Sequence, residues 1–206
     1  MRIKICGLNP IRDVQFCINL KVDFLGFVFY QKSPRNINLN EVANLLKYKK
    51  QKSSFVAVTV NPADEFIKNT VVKNFDYIQL HGNETKERVK EIKSMGLKVI
   101  KALKVKDERD INRYKEFEEA DILLFDTPGM QKSLEFPKNL ISKLPKGDKY
   151  ALAGSISINN IENINKLGPN FFDLSSSLES QLGYKDHLKI NNFMKKVKLI
   201  NENTTI

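Results

Sequence analysis

The chain has 206 residues, 41% of them hydrophobic and 28% charged, with 9 glycines and 7 prolines, a composition that excludes disordered and collagen-like classes. Its formal charge of +10 comes from 34 Lys+Arg against 24 Asp+Glu. The lysines are dispersed along nearly every amphipathic segment, as in KYKKQK, KERVKEIK and MKKVK, so the charge reads as a solvated surface and not as a nucleic-acid arm.

In chain order, short runs rich in Ile, Val, Leu and Phe recur: RIKIC, DFLGFVF, SFVAVTV, DYIQL, KVIKAL, DILLF, YALAG and FFDLS. Between them lie segments with apolar residues at helical spacing, namely IRDVQFCINL, LNEVANLLKY, ADEFIKNTVV, TKERVKEIKSMG, DINRYKEFEE, LEFPKNLISKL, INNIENINKL and KDHLKINNFMKKVKLI. Strict alternation of strand and helix predicts βαβ units with a parallel sheet. Eight such units predict one closed (β/α)₈ barrel over residues 1–206, with the tail after Lys198 adding little. The rival, an open doubly wound sheet, stops at five or six parallel strands and carries a Gly-rich dinucleotide turn, and no GxGxxG occurs.

Two cysteines, Cys6 and Cys17, give no disulfide framework, no CxxC pair and no metal site, which points to a reducing cytoplasm. No apolar run approaches the roughly 20 residues that span a bilayer, and MRIKICGL lacks the apolar stretch of a secretory signal. The expected protein is cytoplasmic, with no membrane and no nucleic-acid partner.

Barrel enzymes place their chemistry at the C-terminal ends of the strands. Those ends carry Cys6, then Arg35 in the loop after FVFY, Asn61, Gln79 with His81, Lys101, Asp126, Gly154, and Asp173 with Ser175 to Ser177. A buried cysteine is commonly a small hydrophobe, and that is the reading for Cys17 inside VQFCINL; Cys6 stands instead at a strand mouth. Asp126 could cap a turn with Thr127, but its strand-end setting favours catalysis, and His187 reads as surface.

KICGL, GFVFYQKSPR, IQLHG, IKAL, LLFDT, LAGS and FDLSSSLES followed by YKD, in this order, resemble the phosphoribosylanthranilate isomerase family of tryptophan biosynthesis from Met1 to about Val197. The resemblance implies a (β/α)₈ barrel that carries out an Amadori rearrangement of phosphoribosyl anthranilate to a carboxyphenylamino-deoxyribulose phosphate, without metal or organic cofactor. It implies Cys6 as general base and Asp126 as general acid, with Arg35, Gln79, His81 and Lys101 toward the substrate. Gly154, Ser155, Ser176 and Ser177 would take the phosphate. It leaves monomer and homodimer open and allows association with other enzymes of that pathway. A cysteine near cationic groups is expected to titrate near neutrality.

The chain departs from the family pattern at the phosphate end. Gly154-Ser155 replaces a paired glycine, Ser175-Ser176-Ser177 replaces a Ser-Ser-Gly-like turn, and PGMQKSLEFP, with Gly129 as its single glycine, replaces a glycine-rich sixth loop. Two other classes therefore stand beside the isomerase: another phosphosugar isomerase or epimerase on the same barrel, and a non-catalytic barrel module.

Overall fold

The computed structural model describes residues 1–9, 11–45, 47, 48, 51–127 and 136–204. Eight parallel strands close into a barrel in sequential order: β1 (Arg2–Cys6), β2 (Phe24–Phe29), β3 (Ser54–Thr59), β4 (Tyr77–Leu80), β5 (Lys98–Lys104), β6 (Ile122–Asp126), β7 (Tyr150–Leu152) and β8 (Phe171–Leu174). The closing pair is β1 with β8, in register from Arg2–Phe171 to Ile5–Leu174. Strands of such a sheet are covered on both faces and so read as nearly continuous apolar runs. Each of the eight apolar runs accordingly falls on an observed strand.

The helices are α1 (Val14–Asn19), α2 (Leu39–Leu45), α3 (Asp64–Phe66), α4 (Val72–Asn74), α5 (Lys86–Ser94), α6 (Glu108–Asn112), α7 (Lys138–Ile141), α8 (Ile161–Lys166) and α9 (His187–Thr204). A π turn, Ile67–Val71, joins α3 to α4, so ADEFIKNTVV forms one helical stretch with a widened middle. Most of these helices are short. Their stability comes from the apolar face they bury and not from propensity.

Two apolar layers follow from the period-2 alternation of the strands. Inward residues such as Phe24, Val28, Val56, Val58, Ile100, Ala102, Leu124 and Phe171 fill the barrel. Outward residues such as Ile3, Ile5, Phe27, Phe55, Val99 and Phe125 meet the helices. Arg2 plugs the N-terminal end, its guanidinium carbon 4.4 Å from the centre of the Phe171 ring.

Two features depart from expectation. The segment after β8 forms a two-stranded antiparallel ribbon, β9 (Glu179–Gln181) with β10 (Tyr184–Lys185), which the sequence pattern did not predict. The tail after Lys198 also contributes more than expected. α9 continues through it, Ile200 is buried in the core, and the Asn201 Oδ1 accepts a hydrogen bond from the N-terminal ammonium at 2.9 Å. A helix face that reaches the core at Ile190, Phe193, Val197 and Ile200 keeps its period to the end.

Candidate active site

A cavity of about 510 Å³ opens at the C-terminal mouth of the barrel, within the range of small-molecule sites. Its lining includes Cys6, Arg35, Asn61, Gln79, His81, Asp126, Gly154, Ser155, Asp173 and Ser175 to Ser177. The strand-end residues picked out in the sequence thus converge on one space, with Lys101 as the exception.

Lys101 is 2% exposed and lies outside the barrel wall. On β5 the inward residues are Ile100 and Ala102, so Lys101 takes the opposite face with Val99 and Leu103. There its ammonium donates to Glu84 Oε2 at 2.8 Å and to the Gly82 carbonyl at 2.9 Å, and it sits 5.6 Å from the centre of the Phe117 ring. Glu84 also accepts from the backbone N–H groups of Asn61 at 2.7 Å and Gly82 at 2.9 Å. The pair is therefore a buried brace for the loops after β3 and β4. The residue of β5 that lines the cavity is Lys104, which shares the inward parity of Ile100 and Ala102.

Asp126 ends β6 with both carboxylate oxygens engaged. Oδ1 accepts the Thr127 N–H at 2.8 Å, and Oδ2 lies 3.2 Å from His81 Nε2. The other ring nitrogen, Nδ1, is 3.1 Å from the Gln79 Nε2. One ring nitrogen of His81 thus faces the Gln79 amide and the other faces the Asp126 carboxylate. Gln79, His81 and Asp126 form one hydrogen-bonded chain across β4 and β6.

Cys6 ends β1, and its carbonyl accepts from the Ser175 hydroxyl at 3.1 Å. Burial pushes the thiol above its ordinary pKa, opposed by the ammonium groups of Lys4 and Lys185, while the Asp173 carboxylate raises it further. The expectation of a thiol titrating near neutrality is not met. The cations are present, but desolvation outweighs them.

Arg35 faces the cavity from the loop after β2. Its Nε donates to Glu179 Oε1 at 2.6 Å and its Nη2 to Glu179 Oε2 at 2.8 Å. Lys185, 5% exposed, donates to the same Glu179 Oε1 at 2.7 Å and to the Ser175 carbonyl at 3.1 Å. Despite its burial, Glu179 is held at a pKa of about 2 by these two cations. Gly183, with φ of +83°, lets the ribbon turn press on the loop after β2: a Cβ there would lie 2.7 Å from the Pro34 carbonyl oxygen.

The phosphate end is built from two loops. Gly154 and Ser155 take φ of +106° and +48° in succession after β7. Ser175, Ser176 and Ser177 follow β8, and the Ser177 Oγ is buried without a protein partner. The sixth loop, including Gly129, lies outside the described residues. Lys4, Glu179 and Lys185 were missed in the sequence because charged residues inside strand-like or polar segments read as surface. No described helix is long and apolar enough to cross a membrane.

Comparison with known proteins agrees with this geometry. Residues 3–196 match the family model for N-(5'-phosphoribosyl)anthranilate isomerase. The chain is 35% identical over 209 residues to the enzyme of that name from Aquifex aeolicus, covering 96% of this chain and 98% of that one. It is 33% identical over 204 residues to the counterpart from Thermoanaerobacter pseudethanolicus, with the same coverage. A crystal structure of phosphoribosyl anthranilate isomerase in complex with reduced 1-(o-carboxyphenylamino)-1-deoxyribulose 5-phosphate superimposes with a TM-score of 0.82 at 29% identity, covering 96% of this chain and 98% of that one. With a closed eight-stranded barrel, Cys6, His81 and Asp126 around one mouth, and near-complete overlap with these relatives, the chain belongs to the N-(5'-phosphoribosyl)anthranilate isomerase family.

Proposed function

We propose that residues 1–206 form one (β/α)₈ domain that converts phosphoribosyl anthranilate to 1-(2-carboxyphenylamino)-1-deoxyribulose 5-phosphate, with Cys6 as general base and Asp126 as general acid. The observation that carries the assignment of roles is that both groups line one cavity from strands β1 and β6, which have β7 and β8 between them in the barrel order. A substrate lying across the mouth meets an acid on one side and a base on the other.

The reaction begins with the closed furanose. Asp126 gives a proton to the ring oxygen while the anilino nitrogen pushes its lone pair toward C1, and the C1–O bond breaks to an iminium. His81 lies 3.2 Å from the Asp126 carboxylate and holds it in place for that step. The proton on C2, acidified by the iminium, then passes to the Cys6 sulfur. The resulting enolamine tautomerises to the ketone.

The remaining residues orient the substrate. The phosphate sits among Gly154, Ser155, Ser176 and Ser177, where backbone N–H groups and the Ser177 hydroxyl supply donors. Arg35, fixed in place by Glu179, and Lys104 present cations toward the substrate carboxylate. The ligand named in the related crystal structure carries a carboxylate and a phosphate, the two anionic groups these cations and donors would hold. We place the protein in the cytoplasm as monomer or homodimer, with association with other enzymes of the pathway a further part of the proposal. Complementation of a strain lacking the isomerase tests the function: growth without tryptophan is expected from the parent and not from Cys6→Ala. Failure of the parent, when expressed and folded, would favour a different phosphosugar substrate.

A further inference from the structure

Below Cys6 the barrel holds a buried ion pair that the reaction above does not use. Lys4 and Cys6 stand two apart on β1, so both side chains point inward. Lys4 is 1% exposed, and its ammonium donates at 2.8 Å to the Oδ2 of Asp173, its register partner on β8. An ammonium in such a place costs several kcal/mol of desolvation unless its donors are engaged. Asp173 takes one donor, and the thiol of Cys6 lies on the same inward face of β1.

Gly26 keeps open the space between the ammonium and the thiol. It is the register partner of Cys6 on β2, and a Cβ built there would lie 3.1 Å from Lys4 Nζ and 3.2 Å from Cys6 Sγ. The ammonium and the thiol border one small space, which any side chain at position 26 would fill.

We propose that Lys4 is the positioning residue for Cys6: its ammonium, anchored by Asp173, stabilises the thiolate form that Cys6 must hold in order to take up the substrate proton. Burial draws the Lys4 pKa down, but Asp173 and Cys6 outweigh it, and Lys4 remains an ammonium. Three charged groups act directly on the thiol: Lys4 from β1, Asp173 from β8 and Lys185 from β10. Beyond them, Asp126 and His81 act on Asp173 with opposite sign. Lys4 is the strongest opponent of the burial that holds the thiol protonated, and it exceeds Asp173 in effect.

The inference rests on Cys6 being the base, so the test separates thiol chemistry from turnover. The rate of iodoacetamide alkylation is followed against pH on the full-length protein without substrate, with Cys6→Ala as the blank for the buried Cys17. Removing an opposite charge in contact moves a pKa by about one to three units. Lys4→Met is therefore expected to raise the alkylation midpoint by about one unit or more, and to lower kcat at least about tenfold with KM changed less than about threefold. Lys4→Met/Asp173→Asn, which leaves no unpaired buried charge, is expected to raise the midpoint too and stands in if the single variant does not fold. A midpoint unchanged or lowered in the double variant overturns the proposal. A parent inactive on phosphoribosyl anthranilate whose thiol midpoint still rises in the variants would sink the isomerase reading while upholding the Lys4–thiol coupling.

Discussion

Arg35 and Glu179 lie 144 positions apart in sequence and meet side to side, Nε on Oε1 at 2.6 Å and Nη2 on Oε2 at 2.8 Å. This bidentate pair joins the loop after β2 to the ribbon after β8, and Lys185 locks it from below. The mouth of the barrel is thus closed on this side by charges with little exposure to solvent, where pairing is worth most.

Glu179→Gln is expected to destabilise the protein by about 3 kcal/mol at pH 7, the free energy of lowering a carboxyl pKa from 4.5 to about 2. A depressed carboxyl pKa stabilises fully above its unfolded value, and the gain is lost as pH falls. The difference between parent and variant should therefore shrink between about pH 4.5 and 2. Urea unfolding at pH 7 and pH 3 measures it. Equal differences at the two pH values would mean that the carboxylate charge is not the cause.

Ser155 holds φ of +48°, a conformation that costs an L-residue about 1–2 kcal/mol. Glycine there loses part of this gain to its greater freedom in the unfolded chain. Ser155→Gly is expected to stabilise by about 0.5–1 kcal/mol, seen as roughly 1–4 °C in Tm. The phosphate loop should keep its grip through backbone N–H groups, so KM should stay within a few-fold. A large rise in KM would mean that the hydroxyl itself binds.

The strands were legible because burial on both faces writes each as an apolar run, and the rim residues followed from the strand ends. The ribbon was not legible: ESQ and YK are too short and too polar to carry a period. Lys101 and Lys104 differ only in parity, which the string KALK does not reveal by itself. Counting inward from Ile100 and Ala102 would have chosen Lys104. Lys4 could have been found by the same count, since it shares the face of Cys6. What blocked that reading is the general expectation that lysine stays exposed, which fails where Asp173 supplies a buried partner.

The two β5 lysines should separate cleanly in experiment. Lys101→Ala leaves Glu84 buried with no ammonium, a loss of about 3–5 kcal/mol in stability. Lys104→Ala changes an exposed cation at the cavity edge, so it should raise KM with Tm nearly unchanged. Scanning calorimetry and saturation kinetics on both variants check this. The reverse pattern would mean that the brace and the substrate contact have been exchanged.

The catalytic pair gives the sharpest test. Removing a general acid or base typically costs 10²–10⁴-fold in rate, so Cys6→Ala and Asp126→Asn should each lose about 3–5 kcal/mol of transition-state stabilisation at about 1.4 kcal/mol per decade. Neither group carries the phosphate, so KM should change little. Cys6→Ser should recover little, because a hydroxyl is far too weak an acid to form an anion in this setting, where burial disfavours even the thiolate. The raised thiol pKa also fixes where the pH dependence falls. In the parent, kcat should still be climbing above the ordinary thiol range, and that limb should vanish in Cys6→Ala. Stopped-assay rates from pH 6 to pH 10 on the parent and the three variants decide it. A Cys6→Ala variant within a few-fold of the parent, with the alkaline limb intact, would return Cys6 to the role of packing the barrel mouth.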